Sequence, residues 1–156
     1  MSIAPKLVTI FGGSGFVGRY VAQRMAKEGW RVRVAVRRPN EALFVKTYGD
    51  VGQVEPILAN IRDEKSTRAA IIGADAVVNC VGILNETSKQ KFNDLQSKGA
   101  SQIAKLATEC GVKTFVHFSA IGADINSHSK YLKSKAEGEE MVKASFKNAV
   151  ILRPSI

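Results

Sequence analysis

Tyr131 and Lys135 stand four residues apart, and Ser119 lies twelve residues before the tyrosine. On a helix an i, i+4 pair shares one face. A phenol near its ordinary pKa of ~10 is a poor acid-base group at neutral pH, but a neighbouring ammonium favours the phenolate and lowers that value. Lys135 would supply that cation. Ser119 could then hydrogen-bond a substrate oxygen while Tyr131 exchanges its proton, the arrangement that hydride transfer with a nicotinamide requires. Taken alone, this spacing ordinarily means an exposed tyrosine with a lysine one turn on.

Its company gives it more weight. Gly12-Gly13-Ser14-Gly15-Phe16-Val17-Gly18 carries GxxGxxG at Gly12, Gly15 and Gly18, directly after the apolar run Leu7 to Phe11. Gly12 permits a tight turn, Gly15 lets phosphate oxygens approach the backbone, and Gly18 lets a following helix press close to the sheet. The free N–H groups and dipole of that helix then face an anion. A dinucleotide is the expected ligand. Where NAD would need a carboxylate for its ribose hydroxyls, at the end of the second strand, the chain has Arg37 and Arg38. A guanidinium forks onto a 2′-phosphate and gains nothing comparable from two neutral hydroxyls, so NADP(H) is favoured, with NAD(H) as the alternative. After the third strand, Asn60 offers an amide to an adenine edge, while Asp63 suits the N-terminus of the next helix. Gly82, after the fourth strand, stands where backbone must pass close to a ribose.

These groups need a scaffold, and the hydrophobic pattern describes one. Short apolar runs recur at Leu7 to Phe11, Val32 to Val36, Val54 to Ala59, Ala76 to Val81, Thr114 to Ser119 and Ala149 to Leu152, as in strands buried on both faces. Helical spacing lies between them, through Phe16, Val17, Tyr20, Val21 and Met25, and again from Phe92 to Cys110. Gly29, Gly73 and Gly111 each stop a helix just before a strand. The expected fold is therefore α/β, a doubly wound parallel sheet of about six strands, Rossmann-like. We expect one dinucleotide-binding domain over 1–156, cut before a substrate-binding C-terminal part.

With 156 residues, 45% hydrophobic and 24% charged, the composition is that of an ordinary globular domain. No apolar run approaches the roughly 18 residues of a membrane helix. Cys80 and Cys110 lack CxxC spacing, which argues for a reducing compartment and against a disulfide framework. The run Leu7 to Phe11 passes straight into glycines without a cleavage site, so it reads as a strand and cytoplasmic residence is expected. His117, within the fifth strand, and His128, in a loop, lack a second ligand at metal spacing, so no metal site is expected. Cys80 reads as core, Trp30 as cover for the core edge, and Arg19 as either a phosphate contact or a solvated arginine. The charge of +9, from 23 Lys and Arg against 14 Asp and Glu, is dispersed. Without an aromatic-interleaved basic track it does not point to nucleic acid.

With the glycine loop first and Ser119, Tyr131 and Lys135 after the fifth strand, the chain resembles the short-chain dehydrogenase/reductase superfamily in its extended or atypical branch. Gly15 to Val21, Phe115 to Ser119 and Ser129 to Glu139 are similar to the family of nucleotide-binding accessory subunits of respiratory complex I and their bacterial relatives. The resemblance implies a tightly held NADPH with a structural role, and subunits of a membrane-bound respiratory complex as partners. It also implies a location at the inner membrane periphery, on the matrix side in a mitochondrion. The wider superfamily instead implies carbonyl reduction or nucleotide-sugar epimerisation by Ser119, Tyr131 and Lys135, and a third reading is an interaction module with an empty site. The cofactor-binding set implied is Gly12, Ser14, Gly15, Phe16, Val17, Gly18, Arg37, Arg38, Asn60, Ile61, Val81, Gly82, Tyr131, Lys135 and Pro154. Many relatives carry Asp where this chain has Asn60, which weakens the adenine assignment.

Overall fold

A computed structural model describes residues 4–155; residues 1–3 and 156 of the expected 1–156 domain lie outside the described residues. Six parallel strands form one sheet: β1 (Leu7–Phe11), β2 (Arg31–Val36), β3 (Val54–Leu58), β4 (Ala76–Asn79), β5 (Thr114–Phe118) and β6 (Val150–Leu152). Their order is β3-β2-β1-β4-β5-β6. The order reverses between β1 and β4, and at such a switch point the strand ends leave a crevice for a ligand. The helices are α1 (Phe16–Lys27), α2 (Glu64–Ile71), α3 (Gly99–Glu109) and α4 (Lys130–Ser145).

β1 is buried at all five positions because both faces are covered. Val8 and Ile10 join one core cluster, and Leu7 and Phe11 the other. Thr9, the polar residue between them, donates from Oγ1 to the Ala70 carbonyl at 2.8 Å. Helix α1 turns Gly18, Ala22 and Ala26 inward, a stripe of small residues that lets its axis come close to the sheet. Arg33, on β2, donates from NH1 to the Ala70 and Ile72 carbonyls at 3.1 and 2.7 Å, placing a cation at the C-terminus of α2. Part of the dispersed basic charge is thus structural.

The expected strands are all present, and three end earlier than their apolar runs, β3 by one residue at Leu58. β4 stops at Asn79 because its side-chain oxygen accepts from the Val81 amide at 3.0 Å and turns the chain. β5 stops at Phe118, although the Ser119 amide still donates to the Leu152 carbonyl at 2.7 Å. Gly29, Gly73 and Gly111 have the positive φ their stop positions require.

Two elements depart from the sequence reading: the first carried no signal, and the second opens the expected helix from Phe92 to Cys110 with a π-helical turn. A 3₁₀ segment, Pro39–Tyr48, follows β2 and buries Ala42 and Val45. A π-helical turn, Asn93–Lys98, runs straight into α3 and buries Leu95, Gln96 and Ser97. This turn packs on α4 so tightly that a Cβ at Gly138 would strike the Gln96 carbonyl oxygen. Gly138→Ala should therefore destabilise the fold by about 1–3 kcal/mol, the usual range for overpacking, read as a lower urea midpoint at unchanged slope.

Candidate functional site

At the C-terminal ends of β1, β2, β3 and β4 lies a cleft of about 700 Å³. It has the size of a small-molecule site. Of the residues expected there, Gly12, Ser14, Gly15, Arg37, Arg38, Asn60, Ile61, Val81 and Gly82 line it. Phe16, Val17 and Gly18 form the adjoining first turn of α1 and are not part of the wall.

One end of the cleft is built for an anion. Gly12 has φ +71°, and a Cβ there would press on the Cys80 carbonyl carbon at 3.0 Å, so the turn touches backbone on the far side of the crevice. Helix α1 begins after Gly15 with no side-chain cap and no acidic residue in its first turn. Its leading amides are therefore available to phosphate oxygens. Arg19 also lines the cleft, where it donates to the Ser14 and Gly15 carbonyls at 3.2 and 3.3 Å and stacks over Phe44.

The other end carries Arg37, Arg38 and Arg62 beside Asn60. Asn60 accepts the Arg62 amide on Oδ1 at 3.1 Å, so a base edge would meet its amide nitrogen. Asp63 is the cap of α2, accepting from the Ser66 amide at 2.9 Å. The residues present fit a dinucleotide along the whole crevice.

Ser119, Tyr131 and Lys135 converge beyond Gly82. A Cβ on Gly82 would sit 3.3 Å from Lys135 Nζ, so the ammonium reaches the cleft wall without being part of it. Lys135 is 5% exposed and donates to the Phe118 carbonyl at 3.2 Å. Burial lowers its pKa to about 8, against the opposing pull of Cys80 and Glu139. The Ser119 hydroxyl is buried and has no hydrogen-bond partner among the described residues.

The expected lowering of the Tyr131 phenol is not found. Burial pushes it up, and the Lys135 ammonium, 5.9 Å from the ring centroid and bonded to the Phe118 carbonyl, does not offset this. The other side of the ring packs edge-on against Phe92. Pro154 is likewise not on the cleft wall; its carbonyl accepts from the Ile121 amide at 3.0 Å, next to Ser119.

Behind the three lies a buried polar cluster that sequence reasoning missed. Glu139, one turn after Lys135, accepts a fork from Arg153 at 2.8 and 2.7 Å. Burial opposes its ionisation, but the Arg153 fork prevails, helped by the Ser119 hydroxyl lying nearby without a well-formed hydrogen bond, and the carboxyl stays below its ordinary value. The i, i+4 rule applied once more would have found it. Gln96 donates to the Ser134 hydroxyl at 3.2 Å and leaves Oε1 unpartnered 3.7 Å from the same Gly82 position. Its burial depends on the π-helical turn, which leaves no periodic trace. Asn79 Nδ2 donates to His117 Nδ1 at 3.1 Å, which fixes the neutral tautomer with its proton on Nε2. Cys80 lines the cleft, and burial pushes its thiol up to about 12, against the opposing pull of Lys135, so it stays an unreactive thiol at neutral pH.

A family model described as NAD(P)H-binding matches residues 12–156. The chain is similar to NADH dehydrogenase (ubiquinone) 1 alpha subcomplex subunit 9, mitochondrial, of Arabidopsis thaliana, at 36% identity over 99% of this chain and 39% of that protein. Its likeness to the subunit of the same name in Mus musculus is 35%, over 99% of this chain and 41% of the other. It is also 30% identical to ceramide reductase of Caulobacter vibrioides over 95% of this chain and 45% of that one. The chain spans less than half the length of these relatives. Among solved structures, a Bacillus halodurans protein assigned as an NAD-dependent epimerase/dehydratase superposes with a TM-score of 0.83 at 24% identity. That match covers 96% of this chain and 70% of the other, and it shows the fold.

Burial, with the nearby Lys135 charge, lowers the His117 pKa to about 4 from 6.5, against the pull of Glu139. Between those values the unfolded chain binds the extra proton, so stability falls as pH drops from about 6.5 toward 4. The His117 contribution amounts to about 3 kcal/mol over that window. Urea unfolding at pH 7 and pH 4.5 should show a larger acid loss for the wild type than for His117→Gln.

Proposed function

The chain belongs to the NAD(P)H-binding family, and we propose that it retains NADP(H) in preference to NAD(H), as the nucleotide-holding domain of a protein resembling the complex I accessory subunits. The observation that carries this reading is the cleft itself: an uncapped helix N-terminus at one end and arginines at the other, with Gly12 and Gly18 keeping the backbone close between them. Phosphate oxygens would bind the leading amides of α1, and a 2′-phosphate would meet the guanidiniums after β2. When bound, the group supplies a hydride donor; the chain supplies its grip and orientation.

Retention is favoured over turnover by where Lys135 is bonded: its ammonium, 5.9 Å from the Tyr131 ring centroid, is held by the Phe118 carbonyl instead of pairing with the phenol. The partners would be subunits of a membrane-bound respiratory complex, reached from the matrix side if the protein is mitochondrial and from the cytoplasm if bacterial. The substrate-facing part, in this reading, belongs to sequence beyond this domain.

A working reductase or epimerase is the second reading. Ser119 favours it, since its buried hydroxyl, next in sequence to the Phe118 carbonyl that Lys135 bonds, makes no well-formed hydrogen bond and could turn to a substrate oxygen. The similarity to a protein named ceramide reductase points the same way.

Denaturing the purified protein and identifying the released nucleotide by mass spectrometry tests the first reading, which expects NADPH in stoichiometric amount. Tyr131→Phe should leave that content unchanged. Under the second reading the same substitution in the full-length protein lowers kcat by about a hundredfold or more.

A further inference from the structure

The two arginines after β2 are not equivalent. Arg38 NH1 is paired with the Glu41 carboxylate at 3.0 Å, both side chains being exposed on the first turn of the 3₁₀ segment. Its charge is offset by a neighbour of its own element, and a phosphate arriving there would meet that carboxylate. Arg37 has a neutral partner across the cleft mouth. With its amide oxygen turned toward Arg37, the orientation its surroundings require, Gln90 accepts from NH1 at 2.6 Å and NH2 at 3.2 Å. An amide oxygen bridging NH1 and NH2 fixes the guanidinium plane without cancelling its charge. It leaves the Nε edge and the outer hydrogens for a second acceptor.

Gln90 is itself held. It closes a turn in which the Thr87 amide donates to the Gln90 carbonyl at 2.9 Å and the Gln90 amide donates to Thr87 Oγ1 at 3.1 Å. One residue earlier, the Lys89 carbonyl accepts from Arg62 NH2 at 2.6 Å. Arg37, Arg62 and Gln90 all line the cleft. The segment 87–90 is therefore strapped across the crevice, to the end of β2 by one arginine and to the end of β3 by the other.

We propose that Arg37 is the reader of the 2′-phosphate and that Gln90 is the positioning residue that aims it, while Arg38 serves its own helix turn. This rests on the NADP(H) reading above and adds the residue that sets its selectivity. A guanidinium already held in its plane loses less rotamer freedom when phosphate binds, and the advantage disappears for a cofactor without that phosphate.

Isothermal titration of the purified protein, stripped of nucleotide, with NADPH and with NADH tests this. Arg37→Ala should weaken NADPH about a hundredfold, and Arg38→Ala by less than about threefold, with NADH within about twofold in both. Gln90→Ala should weaken NADPH by about five- to tenfold without moving NADH, and Gln90→Glu, which pairs the guanidinium with a carboxylate, by at least as much. In the Arg37→Ala background, Gln90→Ala should change the NADPH to NADH ratio no further, a coupling that a merely structural loop contact would not produce. The proposal is overturned if Gln90 variants weaken both cofactors equally or neither, or if Arg38→Ala matches Arg37→Ala. Wild-type protein that binds NADH as tightly as NADPH, or binds neither, would overturn the NADP(H) reading as well. A wild type that discriminates but ignores Gln90 would overturn this inference alone.

Discussion

The backbone of Gly18 lies against the Gly12 carbonyl and the Gly13 Cα more closely than any side chain would allow. That approach brings the first turn of α1 onto the end of β1, so its unbonded amides face the crevice instead of solvent at a distance. The small inward residues Ala22 and Ala26 continue the contact down the helix. The remainder of the site follows from this placement. The cleft opens where the sheet order reverses, and Arg37, Asn60 and Gly82 reach it because their strands run parallel to β1 and end at the same level. Parallel pairing is thus what brings groups from four separate strand ends to one cleft.

Next to this cleft lies a low-dielectric nest of polar groups in which each charge is set by its neighbours. Lys135 and Glu139 occupy successive turns of α4, and Arg153 closes the carboxylate from the end of β6. Isolated, either buried ion would be strongly disfavoured; Glu139 supports the Lys135 ammonium, and Arg153 in turn supports the Glu139 carboxylate. The ammonium is drawn to the Phe118 carbonyl, and the phenol beside it stays protonated. His117 remains neutral for the same reason, pressed by the Lys135 charge and by burial. A bound nucleotide would alter this balance first at Lys135, the cation nearest the Gly82 wall.

The sheet and the glycine loop were legible because their physics is local. Buried parallel strands appear as apolar runs, and the sharp turn at Gly12 demands a residue that tolerates φ of +71°. The parallel sheet follows from the alternation of elements, and the expected residues at the ends of its strands line the cleft, while Tyr131, Lys135 and Pro154 do not. What could not be read was long-range or aperiodic. The Lys135 to Phe118 bond depends on where α4 lands relative to β5, and spacing within α4 contains no trace of it. The neutral partner of Arg37 lies in an irregular loop more than fifty residues away, and Arg38 looks identical to Arg37 until Glu41 is seen beside it. Pro154 is held by a backbone bond from Ile121, two residues past Ser119, that no side-chain pattern records.

The π-helical turn at Asn93–Lys98 has a consequence of its own. Such a turn holds one residue more than a regular helix in the same length, and helices adopt it in spite of poorer local bonding. Here the surplus residue rotates Gln96 and Ser97 inward, where they bond to Ser134 and Glu137 of α4. A lineage that deleted a single residue in this stretch would acquire a more comfortable helix, yet swing those two side chains roughly 100° around the axis, out of reach of α4. One residue of length thus decides whether α3 is fastened to α4 at this level and whether Gln96 Oε1 reaches within 3.7 Å of the Gly82 position.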